Sequence, residues 1–267
     1  AWQKKSAEIL EPQIKNIQSN LMDAYYTNND ESQIKVNGEG FNVLGCSNKK
    51  YTRLWISKSK SQKAMEDIGF LTQYKGIVVK DGIDLYNHCG SKRVQCLSHI
   101  LRYLKGVYDF NGHEGAKEMA KLLSGINEKR NRCIDNGKEK FEKDEIKEFN
   151  THRDTIFKKW KKEWMKSNEV ENPVYEDERR LLSRFEDKKE LKEIISFVTD
   201  FKIPSTNNQI ERDLRPVKIK QKIGKFRSES GAELYAEIRS CINTYKKQNY
   251  SPFTMLLKGF NGDLQVI

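Results

Sequence analysis

Residues 76–82 read Gly-Ile-Val-Val-Lys-Asp-Gly, a short apolar run that stops at an acid followed by a glycine. A compact run of this kind is typical of a β-strand that is covered on both faces. Because the run stops at Asp81, we expect this acid to lie at the end of the strand, where the chain turns. The segment therefore predicts a sheet with an acid at its edge.

The sequence on either side of this run alternates between strand and helix signals. Residues 5–22 and residues 62–73 carry apolar side chains at helical spacing. Residues 92–97 predict a further strand, and residues 98–108 a further helix. Asn-Gly and Asn-Lys-Lys turn signals separate three segments of an antiparallel meander, at residues 23–30, 41–46 and 51–57. The alternation predicts an α/β fold.

Residues 110–200 differ in composition, with dense Glu and Lys and no convincing strand. This region predicts an all-helical insertion, in which Trp160 and Trp164 belong to a packed helix face rather than to a base-stacking surface. Residues 206–214 then predict a short helix closed by Pro216, with a basic strand or loop after it. We expect three parts, a first core part at 1–109, the insertion at 110–200 and a second core part at 201–267.

The composition favours a polyanionic partner. Lys and Arg number 49 against 38 Asp and Glu, a net charge of +11, although a basic protein with no such partner would have the same balance. No apolar run has transmembrane length and no signal segment opens the chain, so we expect no membrane span and a cytoplasmic protein. The five cysteines are scattered without a Cys-x-x-Cys pair, which predicts free thiols.

Three acids are candidates for a metal site, which in two-metal phosphoryl transfer needs converging carboxylates around two Mg²⁺ or Mn²⁺ ions. Asp30 and Asp81 each end a predicted strand, so they meet at one edge if those strands pair. Glu211 lies on the helix after the insertion, on a stripe that can complete the site. The members of that stripe are Asn207, Asn208, Glu211 and Arg215.

Each of these acids also has an ordinary interpretation. Asp81 fits a turn, Asp30 fits a loop, and Glu211 fits a surface helix that opens with a capping box.

A run of cations follows Glu211. Its members are Arg212, Arg215, Lys218, Lys220, Lys222, Lys225 and Arg227. The lysines at 218, 220 and 222 alternate as on one face of a strand, which predicts a track for DNA phosphates. The alternative is a solvated edge strand that lysines protect from pairing.

Residues 207–216 read Asn-Asn-Gln-Ile-Glu-Arg-Asp-Leu-Arg-Pro, which resembles the Asn-Asn-x-x-Glu-Arg-x-x-Arg-Pro signature of insertion sequence 66 family transposases. Residues 30–32 are similar to the Asp-Glu-Thr of that family, with serine in place of threonine. Residues 76–86 resemble its second acidic block, and residues 96–102 its Cys-x-x-His block. The resemblance covers nearly the whole chain in the right order and is weakest across the helical insertion.

The resemblance implies an RNase H-like mixed sheet flanked by helices, interrupted by the insertion before the glutamate. It implies a DDE-type transposase in which Asp30, Asp81 and Glu211 are catalytic and bind two Mg²⁺ or Mn²⁺ ions. Its partners would be double-stranded DNA, at transposon ends and target, and further copies of the chain in a homodimer or larger assembly. Two other functions stay open: a transposase-derived DNA-binding protein without activity, and an RNase H-like nuclease.

The Cys-x-x-His block gives one more expectation. By resemblance, Cys96 and His99 lie just behind the active site, where His99 supports the carboxylates or contacts phosphate. Asn207 and Asn208 are expected to support the carboxylates from the glutamate helix. A buried structural histidine fits His99 equally well.

Overall fold

The computed structural model describes residues 2–82, 84–167 and 173–263. The chain divides into two compact units. The first unit comprises Ala1–Arg93 with Asn207–Ile267, and the second comprises Val94–Thr206.

Five strands form one mixed sheet. They are β1 (Tyr26–Val36), β2 (Glu39–Ser47), β3 (Thr52–Ser57), β4 (Ile77–Lys80) and β5 (Lys92–Gln95). Their order across the sheet is β3-β2-β1-β4-β5. The first three strands pair antiparallel, as the turn signals predicted, whereas β4 runs parallel to β1. Strands combined with helices confirm the α/β class.

The first strand is longer than the sequence predicted. We expected it to end at Asp30, but β1 continues to Val36 and turns at Asn37-Gly38, where both residues have positive φ. Ile34 is buried and Lys35 is exposed, which is the alternation of a half-buried strand. Asp30 therefore lies in the middle of a strand rather than at its end.

Three helices precede β4 in the chain. They are α1 (Trp2–Met22), α2 (Gln62–Ile68) and α3 (Phe70–Gln73). The single helix predicted over 62–73 is interrupted because Gly69 has a φ of 70° and caps the end of α2. The buried side chains of α1 pack against Leu44 and Cys46 on one face of the sheet.

The second unit is built from helices. They are α4 (Leu97–Asn111), α5 (Glu114–Asp135), α6 (Lys143–Lys166), α7 (Pro173–Glu186), α8 (Lys188–Ile194) and α9 (Ser196–Thr199). No strand occurs among the described residues of 110–200, as the sequence predicted. Trp160 is fully buried and Trp164 is partly buried against the same core. Both indoles thus belong to a packed helix face.

Three helices close the first unit. They are α10 (Asn208–Ile223), α11 (Glu229–Lys247) and α12 (Pro252–Phe260). The prediction that a helix closes at Pro216 and a basic strand follows was wrong, because α10 runs through Pro216. An interior proline costs about 3 kcal/mol. Ile210, Leu214 and Val217 are buried against the sheet, and each contributes about 1.5–3 kcal/mol, so packing outweighs the proline.

Candidate active site

Asp30 lies on β1, and Asp81 directly follows β4, the strand that pairs parallel with β1. Asn28 of β1 pairs with Val79 of β4. Continued by two residues, this register sets Asp81 level with Asp30, on strands about 4.8 Å apart. The two carboxylates also interact electrostatically. The parallel pairing therefore brings these two acids together even though Asp30 is not at a strand end.

The surroundings of Asp30 favour its protonated form. Burial is the main cause that raises the pKa of Asp30 to about 7, and the charges of Asp81 and Glu31 raise it further. Two features oppose this: the backbone N–H of Glu31 donates to Asp30 Oδ1 at 2.9 Å, and Lys218 attracts the carboxylate. A buried carboxyl crowded by other acids is one that a cation would ionise.

The first turns of α10 dock on the strand that carries Asp30. Asn207 Nδ2 donates to the carbonyl oxygen of Asn29 at 2.7 Å. Gly45, the cross-strand neighbour of Asp30, lies so close to the helix that a Cβ there would be 2.6 Å from Ile210 Cδ1. A side chain at position 45 would collide with the buried side chain of Ile210, so glycine permits this close packing.

Glu211 lies on this docked helix, one residue after Ile210, and is partly buried. At 100° per residue it shares a stripe with three cations, Arg215, Lys218 and Lys222. Because Lys218 interacts with Asp30, the stripe runs beside the acidic pair. No group of three or more His, Cys, Asp or Glu side chains in the described part of the chain is close enough to hold a metal ion. Glu211 therefore flanks the pair without closing a three-acid cluster.

The predicted strand of alternating lysines is part of α10, which corrects the sequence interpretation. Lys218 and Lys222 are exposed on the Glu211 stripe, but Lys220 lies on the other side of the helix. Lys220 Nζ donates to the Gly224 carbonyl at 2.8 Å and lies 5.1 Å from the Phe226 ring centroid. The helix therefore places Lys220 on a different face from Lys218 and Lys222.

The remaining predicted DNA contacts are exposed cations. They are Arg212, Arg215, Lys225 and Arg227. Of these, Arg212 contacts its own helix, since Nη2 donates to Gln209 Oε1 at 3.2 Å.

Residues 1–234 match the family model described as Transposase IS66 family. The chain belongs to the IS66 family of transposases. Membership implies a function related to transposition, in a nucleic-acid-processing enzyme that interacts with DNA. A comparison with curated proteins found no match. Among the helices of the described residues, none is long and apolar enough to cross a membrane.

Glu31 of this IS66 transposase is a second buried acid beside the site, and the sequence analysis gave it no role. Its carboxylate pairs with Lys60 Nζ at 3.0 Å and accepts a hydrogen bond from Tyr86 Oη at 3.2 Å. Burial, followed by the charges of Glu31, Asp30 and Asp81, raises the pKa of Tyr86 well above its ordinary value. Tyr86 therefore stays a neutral donor, and its only sequence signal was its place in the second acidic block.

Asp213, inside the signature run of the IS66 transposase, is a structural residue. Its carboxylate accepts hydrogen bonds from Lys247 Nζ at 2.6 Å and from Thr52 Oγ1 at 2.9 Å. Burial lowers the pKa of Lys247, whereas the charge of Asp213 raises it. The pair fixes α10 to α11 and β3. Asp213 lies two residues after Glu211, so on a helix it faces away from Glu211. That spacing was the one sign in the sequence that the two acids have different roles.

Cys96 and His99 belong to the second unit of the IS66 transposase, and their expected place behind the carboxylates stays a prediction. Cys96 is buried before the first residue of α4. His99 Nδ1 is buried without a hydrogen-bond partner among the described residues. Asn208, also expected to support the carboxylates, is exposed at the start of α10. All five cysteines lie in described segments, and none of them forms a disulfide.

Proposed function

We propose that this transposase is a DDE-type enzyme that cleaves DNA strands at transposon ends and joins them to target DNA, using divalent metal ions. The register of β1 and β4, which sets Asp30 and Asp81 side by side, is the observation that carries the proposal. The strand order β3-β2-β1-β4-β5, with β4 parallel to β1, supports an RNase H-like core. Family membership supplies DNA as the substrate.

The donor set fits a hard divalent cation. Carboxylate oxygens are the ligands that Mg²⁺ and Mn²⁺ prefer, and Asp30 and Asp81 supply them from adjacent strands. Asn28, which precedes Asp30 on the same face of β1, has a buried Oδ1 with no hydrogen-bond partner among the described residues. We assign Asp30 and Asp81 to hold the ions, and Glu211 to join them from α10.

The reaction has two steps. A water molecule hydrolyses one phosphodiester at the transposon end, and the freed 3′-hydroxyl then attacks a target phosphate in line. Bound ions supply Lewis-acid stabilisation of the attacking and leaving oxygens. Arg215 and Lys218, on the same stripe as Glu211, neutralise the charge of the phosphates they contact. No covalent intermediate with the protein is required.

Three conservative substitutions test this proposal: Asp30→Asn, Asp81→Asn and Glu211→Gln. Each variant is incubated with labelled transposon ends and Mg²⁺ or Mn²⁺, and we expect each to lose at least about a thousandfold in cleavage rate. Binding to the same DNA should change little, because phosphate contacts are separate from metal chemistry. Glu39→Gln, an exposed acid on β2, is the matched control and should retain full cleavage.

The products separate the competing functions. Cleavage followed by strand transfer supports the transposase reaction. Cleavage alone by the wild-type chain indicates a nuclease, and binding alone indicates a DNA-binding descendant without activity. Retained cleavage in any of the three acid variants contradicts the assigned triad.

A further inference from the structure

A groove of about 370 Å³ lies between α4 and α7, entirely within the second unit. The side chains from α4 include Arg102, Tyr103 and Phe110, with Gly106 between the two rings, and α7 contributes Arg180 and Arg184. None of these residues takes part in the proposed chemistry of Asp30, Asp81 and Glu211. The combination of exposed rings and guanidinium groups distinguishes the groove from the other cavities.

The two aromatic rings of the groove are open to solvent. Phe110 is 73% exposed and Tyr103 is 43% exposed. They are seven residues apart, which is about two helical turns, so both project from the same face of α4. Exposed rings along one groove are the usual platforms on which unpaired bases stack.

Gly106 keeps the space between the two rings open. A Cβ at this position would meet no atom within 4 Å. Packing therefore does not require glycine here, although glycine in a helix interior is less stable than alanine. What the missing side chain provides is room in the groove between Tyr103 and Phe110.

The charge of the groove favours an anionic occupant. Three arginines line it against one acid, Asp177. Arg180 lies 3.7 Å from Asp177 and 3.8 Å from Glu176, and Arg184 lies 3.5 Å from Glu190, so the phosphate contact falls to Arg102. Arg102 makes no ion pair or hydrogen bond with any other described residue, and the Arg184 guanidinium lies 5.9 Å from the Tyr103 ring centroid. A partner helix docked there would bury the Arg102 guanidinium without a hydrogen-bond partner, which is costly.

We propose that the groove between α4 and α7 binds unpaired nucleotides of single-stranded DNA. A base stacks on Phe110, the more exposed of the two rings, and the neighbouring phosphate contacts Arg102. The inference rests on the proposed function, since cleavage at a transposon end exposes DNA strands that can separate. It adds a second DNA contact, specific for unpaired bases, to the phosphate contacts of α10.

The test uses the full chain and a single-stranded oligothymidylate that contains one 2-aminopurine, whose fluorescence is quenched when it stacks on an aromatic ring. We expect the wild-type chain to bind the probe and quench it. Phe110→Ala should weaken binding about tenfold and remove the quench, which is the scale of base–aromatic stacking. Arg102→Ala should weaken binding while the quench at saturation remains.

Two substitutions at Gly106 test whether the open space in the groove is needed for stacking. Gly106→Leu fills the groove and should abolish the quench, whereas Gly106→Ala should keep it, and thermal unfolding checks that both are folded. Two controls should change nothing: Phe253→Ala removes an exposed ring on α12, and Arg179→Ala removes an exposed cation on α7 that pairs with Glu176.

Three results would overturn the inference. The first is a wild-type chain that does not quench the probe. The second is a quench that remains in both Phe110→Ala and Gly106→Leu. The third is a loss of binding and quench in the two control variants that equals the loss in Phe110→Ala. A change of oligomeric state in Gly106→Leu with the quench intact would also overturn it, since the occupant would then be a second copy. Asp30→Asn is measured in parallel. If it loses cleavage while the wild-type chain does not quench the probe, the groove assignment fails and the proposed function stands.

Discussion

Asp30 is the residue whose ionisation depends most on its surroundings in this site. Burial, together with Asp81 and Glu31, holds its pKa at about 7 instead of 3.8. Near neutral pH the carboxyl of Asp30 therefore exchanges a proton readily, and a cation bound there would compete with that proton. Lys218 is the one cation of α10 that acts directly on this carboxyl.

Replacing Asp30 by asparagine should stabilise the metal-free protein above about pH 7. Between about pH 4 and pH 7 the folded state binds a proton that the unfolded state has lost, so the contribution of Asp30 to stability falls as pH rises through this window. Below about pH 4 the variant and the wild-type protein should have equal stability. The measurement is the melting temperature of both proteins from about pH 3.5 to about pH 8.5, a range that spans both pKa values. Equal melting temperatures at the alkaline end would contradict the assignment.

Manganese binding should release a proton from Asp30 below about pH 7. Because the ion and the proton compete for one carboxyl, we expect the affinity for Mn²⁺ to fall about tenfold for each pH unit below that value. Calorimetry at one acidic pH in two buffers of different ionisation enthalpy measures the number of protons released. Glu39→Gln should behave as the wild-type protein does, and binding without proton release would show that Asp30 is not a ligand.

At the scale of elements, α10 serves two roles with different faces. One stripe carries Glu211 with Lys218 and Lys222 beside the acidic pair, whereas Asp213 faces Lys247 and β3. The docking of Asn207 on β1 sets the helix in place. The close approach at Gly45 explains why the carbonyl of Asn29 and the side chain of Asn207 can meet.

Asp213→Ala should destabilise the protein by about 3–5 kcal/mol, because it leaves the buried ammonium of Lys247 without its carboxylate. Urea unfolding measures the change in the free energy of unfolding. The double variant Asp213→Leu with Lys247→Met should recover much of the loss, since no charge is then left alone. Arg212→Ala, at an exposed position of the same helix, should stay within about 0.5 kcal/mol. If Asp213→Ala lowers the free energy of unfolding as little as Arg212→Ala does, the Asp213–Lys247 pair does not stabilise the fold.

The lysines of α10 should differ in their contribution to DNA affinity. Replacing both Lys218 and Lys222 by alanine should flatten the slope of log affinity against log salt by about 1.8, or about 0.9 for each phosphate contact. Lys220→Ala should leave the slope unchanged, because Lys220 turns to the Gly224 carbonyl. Titration of duplex DNA at several salt concentrations measures all three slopes. An effect of Lys220→Ala as large as half that of the double variant would place the DNA on another face of the helix.

The elements also show what sequence patterns can and cannot predict. The three-stranded meander, the buried strand before Asp81 and the helical region of Trp160 were predicted, because each depends on a local alternation of apolar and polar residues. The length of β1 and the passage of α10 through Pro216 were missed, because both depend on packing between distant segments. For the candidate site, the proximity of Asp30 and Asp81 was predictable from the sequence. The roles of Glu31 and Asp213 were not, because they depend on the partners Lys60, Tyr86 and Lys247, which no spacing reveals.

At the scale of the whole molecule, the two units contain different candidate functional features. The first unit contains the sheet, the acidic pair and α10, and the second contains helices with the groove between α4 and α7. The family match spans most of both units, through residue 234. We propose that the acidic pair beside the sheet provides the metal chemistry, and that α10 and the groove share the contacts to DNA strands.

The most direct test of the assigned active site is a crystal of the chain grown with a transposon-end DNA and Mn²⁺, measured at a wavelength where manganese scatters anomalously. We expect the strongest anomalous peak at bonding distance from the carboxylates of Asp30 and Asp81, with Glu211 as a further ligand and a DNA phosphate beside it. A bound DNA end with the manganese peak elsewhere in the chain, or with no peak at these acids, would contradict the site.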